Sequence, residues 1–248
     1  MNKLKMVLFD YGQTIIAEQA LGFINGNQAV LDRAVKNPHN VTVEQIQQRS
    51  NELLDEICKV THSASRNYQP LEMTWKSFGQ CVFDYFDIEF EDSYDELQWA
   101  FWTGSTLAEP SENIELLLDF LQSQGIRTGI VSNIMYSKEI LTKRINMLIP
   151  KNNFEFIIAS SEYMFRKPYS GIFEIALKKA GLSAEDVWFC GDNPVCDING
   201  AYNAGIQPVW YTKYARNSVQ LQKECTVSED NYITVSDWKE LIKIISSL

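Results

Sequence analysis

Met6-Val7-Leu8-Phe9-Asp10-Tyr11-Gly12-Gln13-Thr14 is an apolar run that stops abruptly on a carboxylate and then turns at a glycine. A short run of large apolar residues without polar alternation suits a strand buried on both faces, as in a parallel sheet. Ligands of open α/β sheets bind just beyond the carboxyl ends of the strands. Asp10 therefore stands where a strand tip meets a crevice, although an aspartate can also simply begin a turn. Outward from this segment, Leu4–Phe9, Ile126–Val131, Phe154–Ala159, Asp186–Cys190 and Ile206–Tyr211 all read as buried strands. Between them lie helix patterns. Ile114–Gln124 carries Ile114, Leu117, Leu118 and Leu121 on one stripe and is followed by Gly125. Ser170–Ala180 is followed by Gly181, and Asp197–Ala204 by Gly205. Strand–helix–strand repetition indicates an open α/β sheet.

Residues 16–105 read differently. Val43–Val60 and the aromatic-rich Leu71–Phe86 are helix-like, Asn37–Val43 is a turn, and no buried-strand run interrupts them. The expectation is a helical insertion after the first strand. The core is then formed by residues 1–15 and 106–248, and it closes with an amphipathic helix over Val235–Leu248 that starts near Ser236 or Asp237.

The chain has 248 residues, 45% of them hydrophobic, and a formal net charge of −10. That composition suits a folded chain and argues against a general nucleic-acid or anionic-membrane binder, though not against an anionic substrate in one locally positive pocket. The five cysteines, Cys58, Cys81, Cys190, Cys196 and Cys225, show no CxxC spacing and read as reduced thiols rather than zinc ligands. Met1–Met6 is too short and polar for a secretion signal, and no apolar run approaches the roughly 20 residues of a membrane span. The expected location is cytoplasmic. Oligomeric state is not legible.

Three further segments carry chemistry. Ile130-Val131-Ser132-Asn133 ends a strand in a hydroxyl and a following N–H, both able to hold a phosphoryl oxygen, or else caps the next helix. Arg166-Lys167-Pro168 offers a compact cation suited to phosphate or a carboxylate, or else a solvated lysine. Gly191-Asp192-Asn193-Pro194-Val195-Cys196-Asp197 puts two carboxylates beside a strand end, suited to a hard cation such as magnesium, or else to a turn and a helix cap.

Taken in order, Asp10, Ser132-Asn133, Lys167 and Asp192…Asp197 resemble the haloacid dehalogenase-like hydrolase superfamily. The resemblance implies a Rossmann-like parallel sheet with helices on both faces, and an inserted α-helical cap over residues 16–105. It implies a magnesium-dependent phosphatase acting on a small phosphorylated metabolite through an aspartyl-phosphate on Asp10. Magnesium would be held by Asp10, the Gly12 carbonyl and Asp192. Asp197 would orient a metal-bound water or Lys167. Ser132, the Asn133 amide and Lys167 would hold the phosphoryl group.

One position departs from the pattern. Phosphatases of that family usually carry a second aspartate two residues after the nucleophile, as the acid and base; here it is Gly12. General acid–base help is typically worth about 10²–10⁴ in rate. Tyr11 should point away from the gap on an extended chain. Three readings follow: a phosphatase with a weakened or relocated acid, a non-catalytic or barely catalytic binding or regulatory protein, and a 2-haloacid dehalogenase, whose leaving halide needs no proton. A weakened acid should favour aryl and acyl phosphates over alkyl ones. The insertion's aromatics, Trp75, Phe78, Phe83, Tyr85, Trp99 and Trp102, either stack on a substrate or form the insertion's own core. His39 and His62 match no site of the family.

Overall fold

The computed structural model describes residues 4–60, 71–215 and 222–248. Alternate residues of the first strand, β1 (Met6–Phe9), face opposite ways, and both faces are buried. Val7 and Phe9 point into one core, Met6 and Leu8 into another. A strand without an exposed face must lie inside a sheet covered on both sides, and β1 does. The sheet has six parallel strands in the order β10-β9-β8-β1-β6-β7. The others are β6 (Arg127–Ser132), β7 (Ile157–Ala159), β8 (Val187–Gly191), β9 (Gln207–Tyr211) and β10 (Ile233–Val235).

The five expected runs form strands of this sheet. The sixth, β10, escaped the sequence reading because only Val235 of its three residues is fully buried, so it lacks the apolar run that marks the others. Helices α7 (Ser170–Ala180) and α8 (Gly200–Asn203) pack Ile172, Phe173, Ala176 and Ala201 on the Leu8 face. On the Phe9 face lie α5 (Ile114–Ser123), α6 (Lys138–Leu148) and α9 (Trp238–Ser246), through Leu117, Leu141 and Leu241 among others.

Two helix expectations for the sheet domain's segments change, and a third changes in the insertion. Asp197–Ala204 is not one helix: Pro194–Asn199 forms a widened turn, and only Gly200–Asn203 is α-helical. Asn193 Oδ1 accepts from the Val195 and Cys196 amides, which starts the turn at Pro194, ahead of Asp197. At the C-terminus Val235 ends β10, and Asp237 accepts from the Lys239 amide as the cap of α9.

Between β1 and α5 the chain leaves the sheet along β2 (Ile16–Ala20) and returns along β5 (Thr106–Pro110), which pair antiparallel. In β2 only Ile16 is fully buried, so it lacks the run that marks a core strand. Inside this pair lie α1 (Phe23–Leu31), α2 (Val43–Val60), α3 (Trp75–Tyr85) and α4 (Tyr94–Ser105), with a small pair of β3 (Ala34–Lys36) and β4 (Glu89–Phe90). The segment is thus helical with short, mostly exposed strands that periodicity did not reveal. The third helix starts at Trp75 rather than Leu71: Thr74 caps it, and Leu71 bridges to Phe165 instead. Helices α1 and α4 approach closely where Gly26 and Gly104 face the partner helix. A Cβ on Gly26 would lie 2.7 Å from the Phe101 carbonyl oxygen.

Candidate active site

The register sets the geometry. Phe9 is level with Ile130 of β6 on one side and Cys190 of β8 on the other. Asp10 and Asp192 therefore follow the tips of β1 and β8, Ser132 ends the adjacent β6, and the Asp10 amide donates to the Cys190 carbonyl at 2.8 Å. Lys167 comes from the loop before α7. Its Nζ donates to Asp10 Oδ1 at 2.7 Å and to Asp197 Oδ1 at 2.6 Å, and it lies 5.0 Å from the centre of the Phe189 ring. A lysine 2% exposed is far from the solvated one that its residue type suggests. Two carboxylates and the ring face compensate its burial.

The loop is held from the sheet. Asn133 Nδ2 donates to the Lys167 carbonyl at 2.9 Å, and its Oδ1 accepts from the Lys167 amide at 2.7 Å. The Lys167–Pro168 bond is cis. Both polar ends of the Asn133 side chain are thus occupied by the Lys167 backbone. Ser132 is 2% exposed at the end of β6. It is not the cap of the next helix; Ser137 caps α6.

Asp197 Oδ2 accepts from the Asn193 amide at 2.9 Å. Its carboxyl packs on Gly191, where a Cβ would lie 2.3 Å from Asp197 Cγ. One carboxylate oxygen from each of Asp10, Asp192 and Asp197 lies within 4.8 Å of the others. Lys167 bonds two of these carboxylates, and the third, on Asp192, lies beside them. Burial pushes Asp10 up to about 6 despite the downward pull of Lys167. Burial and the charges of Asp197 and Asp10 push Asp192 well above the usual carboxylate range. An all-oxygen set with surplus negative charge fits a hard divalent cation, which would hold these groups ionised.

Next to this cluster is a second one that the sequence did not flag. Glu18 of β2 accepts at Oε1 from the Tyr11 hydroxyl (3.2 Å) and from Trp102 Nε1 (3.1 Å), with Arg144 Nη2 at 3.6 Å. Arg144, 2% exposed, also donates to Thr106 Oγ1 at 2.7 Å and lies 4.4 Å from the centre of the Trp102 ring. Burial first, and the Glu18 charge second, hold the Tyr11 hydroxyl well above its usual range, so Tyr11 is a poor acid. No periodic signal could have found Glu18, since its partners come from β1's turn, α4 and α6.

The insertion's aromatics divide. Trp75, Phe83 and Trp102 are core residues, while Tyr85 is exposed beneath Arg49 and Trp99 lies under Lys143. Trp75 and Phe78 also wall a cavity of about 550 Å³ with Phe101, Met135, Tyr136 and Arg166. His39 is exposed and lies 3.1 Å from Asp87; His62 falls outside the described residues. All five cysteines are free thiols. Among the described residues no helix is long and apolar enough to cross a membrane.

A profile of the haloacid dehalogenase-like hydrolases matches residues 7–211, from β1 through β9. The chain belongs to this family. The haloacid dehalogenase-like fold is seen again in a 2-haloacid dehalogenase of Pseudomonas syringae, 20% identical, with a TM-score of 0.65 over 98% of this chain and 99% of that one. A phosphatase of the family from Thermococcus onnurineus is also 20% identical, with a TM-score of 0.61 over 97% of both chains. Among curated relatives in the family, the glyceraldehyde 3-phosphate phosphatase of Pyrococcus furiosus is 31% identical over 105 residues, 42% of this chain and 43% of that protein. The phosphoserine phosphatase of Thermus thermophilus is 34% identical over 65 residues, 26% of each chain. The chain thus spans less than half the length of these curated relatives.

Proposed function

We propose that the protein is a magnesium-dependent phosphatase that hydrolyses a small phosphorylated metabolite through an aspartyl-phosphate on Asp10. The observation that carries this reading is Lys167, buried and bonded to both Asp10 and Asp197, beside a third carboxylate on Asp192. A buried cation held by carboxylates, with a further carboxylate beside it, is costly to maintain without a use for it. The partial likeness to curated phosphatases supports the same class.

Asp10 and Asp192, with the Gly12 carbonyl, would hold magnesium, which when bound neutralises charge on the phosphoryl oxygens. Ser132, the Asn133 backbone N–H and the Lys167 ammonium bind and orient the phosphoryl group. Asp197, held by the Asn193 amide, fixes the Lys167 ammonium in place. An Asp10 oxygen attacks phosphorus, the bond from phosphorus to the leaving oxygen breaks, and that oxygen takes up a proton. Water then attacks the aspartyl-phosphate and loses a proton. The bond between phosphorus and Asp10 breaks, which frees phosphate and restores the carboxylate. Positioning and charge stabilisation dominate such transfers. The cavity beside Trp75 and Phe78 would receive the part of the substrate beyond the phosphate, beneath a cap made of residues 16–105.

The test is a turnover screen over phosphorylated metabolites, with and without magnesium, using Asp10→Asn as the blank. Turnover that needs magnesium and disappears in the variant is expected; an Asp10→Asn protein with most of the activity overturns the reading. Gly12 supports a second one, a protein that binds phosphate without hydrolysing it. Binding of magnesium and vanadate with no turnover across the panel would favour that reading. Chloride release from a 2-chloroacid without magnesium would instead make the protein a dehalogenase.

A further inference from the structure

One carboxylate of the insertion reaches both loops that carry the groups for the phosphoryl oxygens. Glu72 lies on the approach to α3, and its side chain is 2% exposed. Its Oε1 accepts from Arg166 Nη1 at 3.0 Å, and Arg166 is the residue before Lys167. Its Oε2 accepts from the hydroxyl of Ser160, a fully buried residue that follows β7. Ser160 Oγ accepts in turn from the amide of Ile134, two residues after Ser132, at 2.8 Å. Backbone bonds pin the same stretch. The Glu72 amide donates to the Met164 carbonyl, and the Trp75 amide donates to the Met135 carbonyl at 2.8 Å.

Arg166 depends on this one carboxylate. Among the described residues no second carboxylate lies within ion-pair distance of it, and its Nε is buried without a hydrogen-bond partner. Removing one member of a largely buried pair leaves the other's charge uncompensated, which is more costly than removing both. An Arg166 without Glu72 is therefore driven to turn its guanidinium toward water. Its neighbour in the chain is the lysine whose ammonium sits 2.7 Å from Asp10 and 2.6 Å from Asp197.

We propose that Glu72 is a positioning residue for the transfer, acting through Arg166 on Lys167. The inference rests on the phosphatase reading above. Glu72 takes part in no bond that forms or breaks. It fixes residue 166 from the side of the insertion, as Asn133 fixes residue 167 from the side of the sheet. Between these two grips the ammonium stays on Asp10 and Asp197. The cation that meets the phosphoryl group is thus placed in part by the insertion and not by the sheet alone. Glu72 and Arg166 also line the cavity beside Trp75 and Phe78, so direct contact with the body of the substrate is the competing role.

The experiment measures kcat and KM, with magnesium, for a small substrate (acetyl phosphate) and a bulky one (2-naphthyl phosphate). The proteins are wild type, Glu72→Gln, Arg166→Met and the double variant. A misplacement of about 1 Å at a reacting site can cost about 10²-fold. Glu72→Gln is therefore expected to lower kcat by roughly 10- to 10²-fold on both substrates, with KM within about threefold of wild type. The double variant should lose no more than the worse single variant, within about threefold, because the two residues act in one chain. Damage to the fold alone lowers the melting temperature and the folded fraction, but not the kcat of the protein that remains folded. Contact with the substrate's body would raise KM for the naphthyl ester and leave acetyl phosphate unaffected. That result, losses that multiply in the double variant, or no loss at all, with Asp10-dependent turnover intact in the wild type, overturns the Glu72 assignment alone. A wild type with no Asp10-dependent turnover overturns the phosphatase reading and this one with it. If thermal melts show that Glu72→Gln fails to fold, Arg166→Met carries the test: the same fall in kcat on both substrates supports the assignment, and a wild-type kcat overturns it.

Discussion

At the residue scale the site depends on what has no side chain as much as on what has one. Gly191 leaves the room in which the Asp197 carboxyl lies, and a Cβ there would sit 2.3 Å from two of its atoms. Asp197 cannot yield cheaply, because Lys167 and the Asn193 amide hold its two oxygens. Gly191→Ala should therefore push Asp197 aside and carry Lys167 with it. A displacement on the order of 1 Å at such a group can cost about 10²-fold in rate. A fall of that size in kcat/KM, with the protein still folded by circular dichroism, is the expected result; wild-type kinetics would show that Asp197 has another place to go. Gly12 is the opposite case. Its side is open, so chemistry rather than sterics explains the interest of that position.

At the scale of elements, the inserted helices are joined by close backbone approach. Gly26 of α1 lies against the Phe101 carbonyl of α4, and Gly104 of α4 lies against Ala29 of α1. Gly26→Ala gains up to about 1 kcal/mol of helix propensity and loses roughly 1–3 kcal/mol to overpacking. The blocking atom is a backbone oxygen 2.7 Å away, which cannot rotate aside, so the loss should win. A net destabilisation of about 1–2 kcal/mol is expected in urea denaturation. An unchanged or higher midpoint would mean that α1 and α4 can separate at little cost. The sheet is held differently: Trp238 of α9 is fully buried, stacks on Tyr211 at 4.0 Å and donates Nε1 to Ser111 Oγ at 2.8 Å.

At the scale of the whole molecule, the balance of charge in the site is linked to stability. Three carboxylates around one lysine repel each other, and burial raises Asp10 and Asp192 in response. A cation that binds only the folded protein stabilises it by about 2.7 kcal/mol at a hundredfold excess over Kd. For a chain of this length that is a rise in Tm of roughly 5–10 °C. Magnesium should produce such a rise in wild type and little in the Asp10→Asn/Asp192→Asn double variant, measured by differential scanning fluorimetry without any substrate. Equal rises in both would place the ion elsewhere.

The order of four short segments, each a strand end or loop followed by a polar residue, was enough to read the α/β class, the family and the residues Asp10, Lys167, Asp192 and Asp197 that the structure brings together. Local patterns carry that much because burial of a strand on both faces writes itself into consecutive residues. The sixth strand and the β2–β5 pair left no such mark, because most of their residues are not fully buried. The cluster around Glu18 was invisible too. It depends on a turn, a strand and two helices meeting, and the Glu18 partners Trp102 and Arg144 lie far along the chain in helices whose own sequences say nothing of it. Folding alone decides such contacts, because they follow from how elements pack and not from the composition of any one of them.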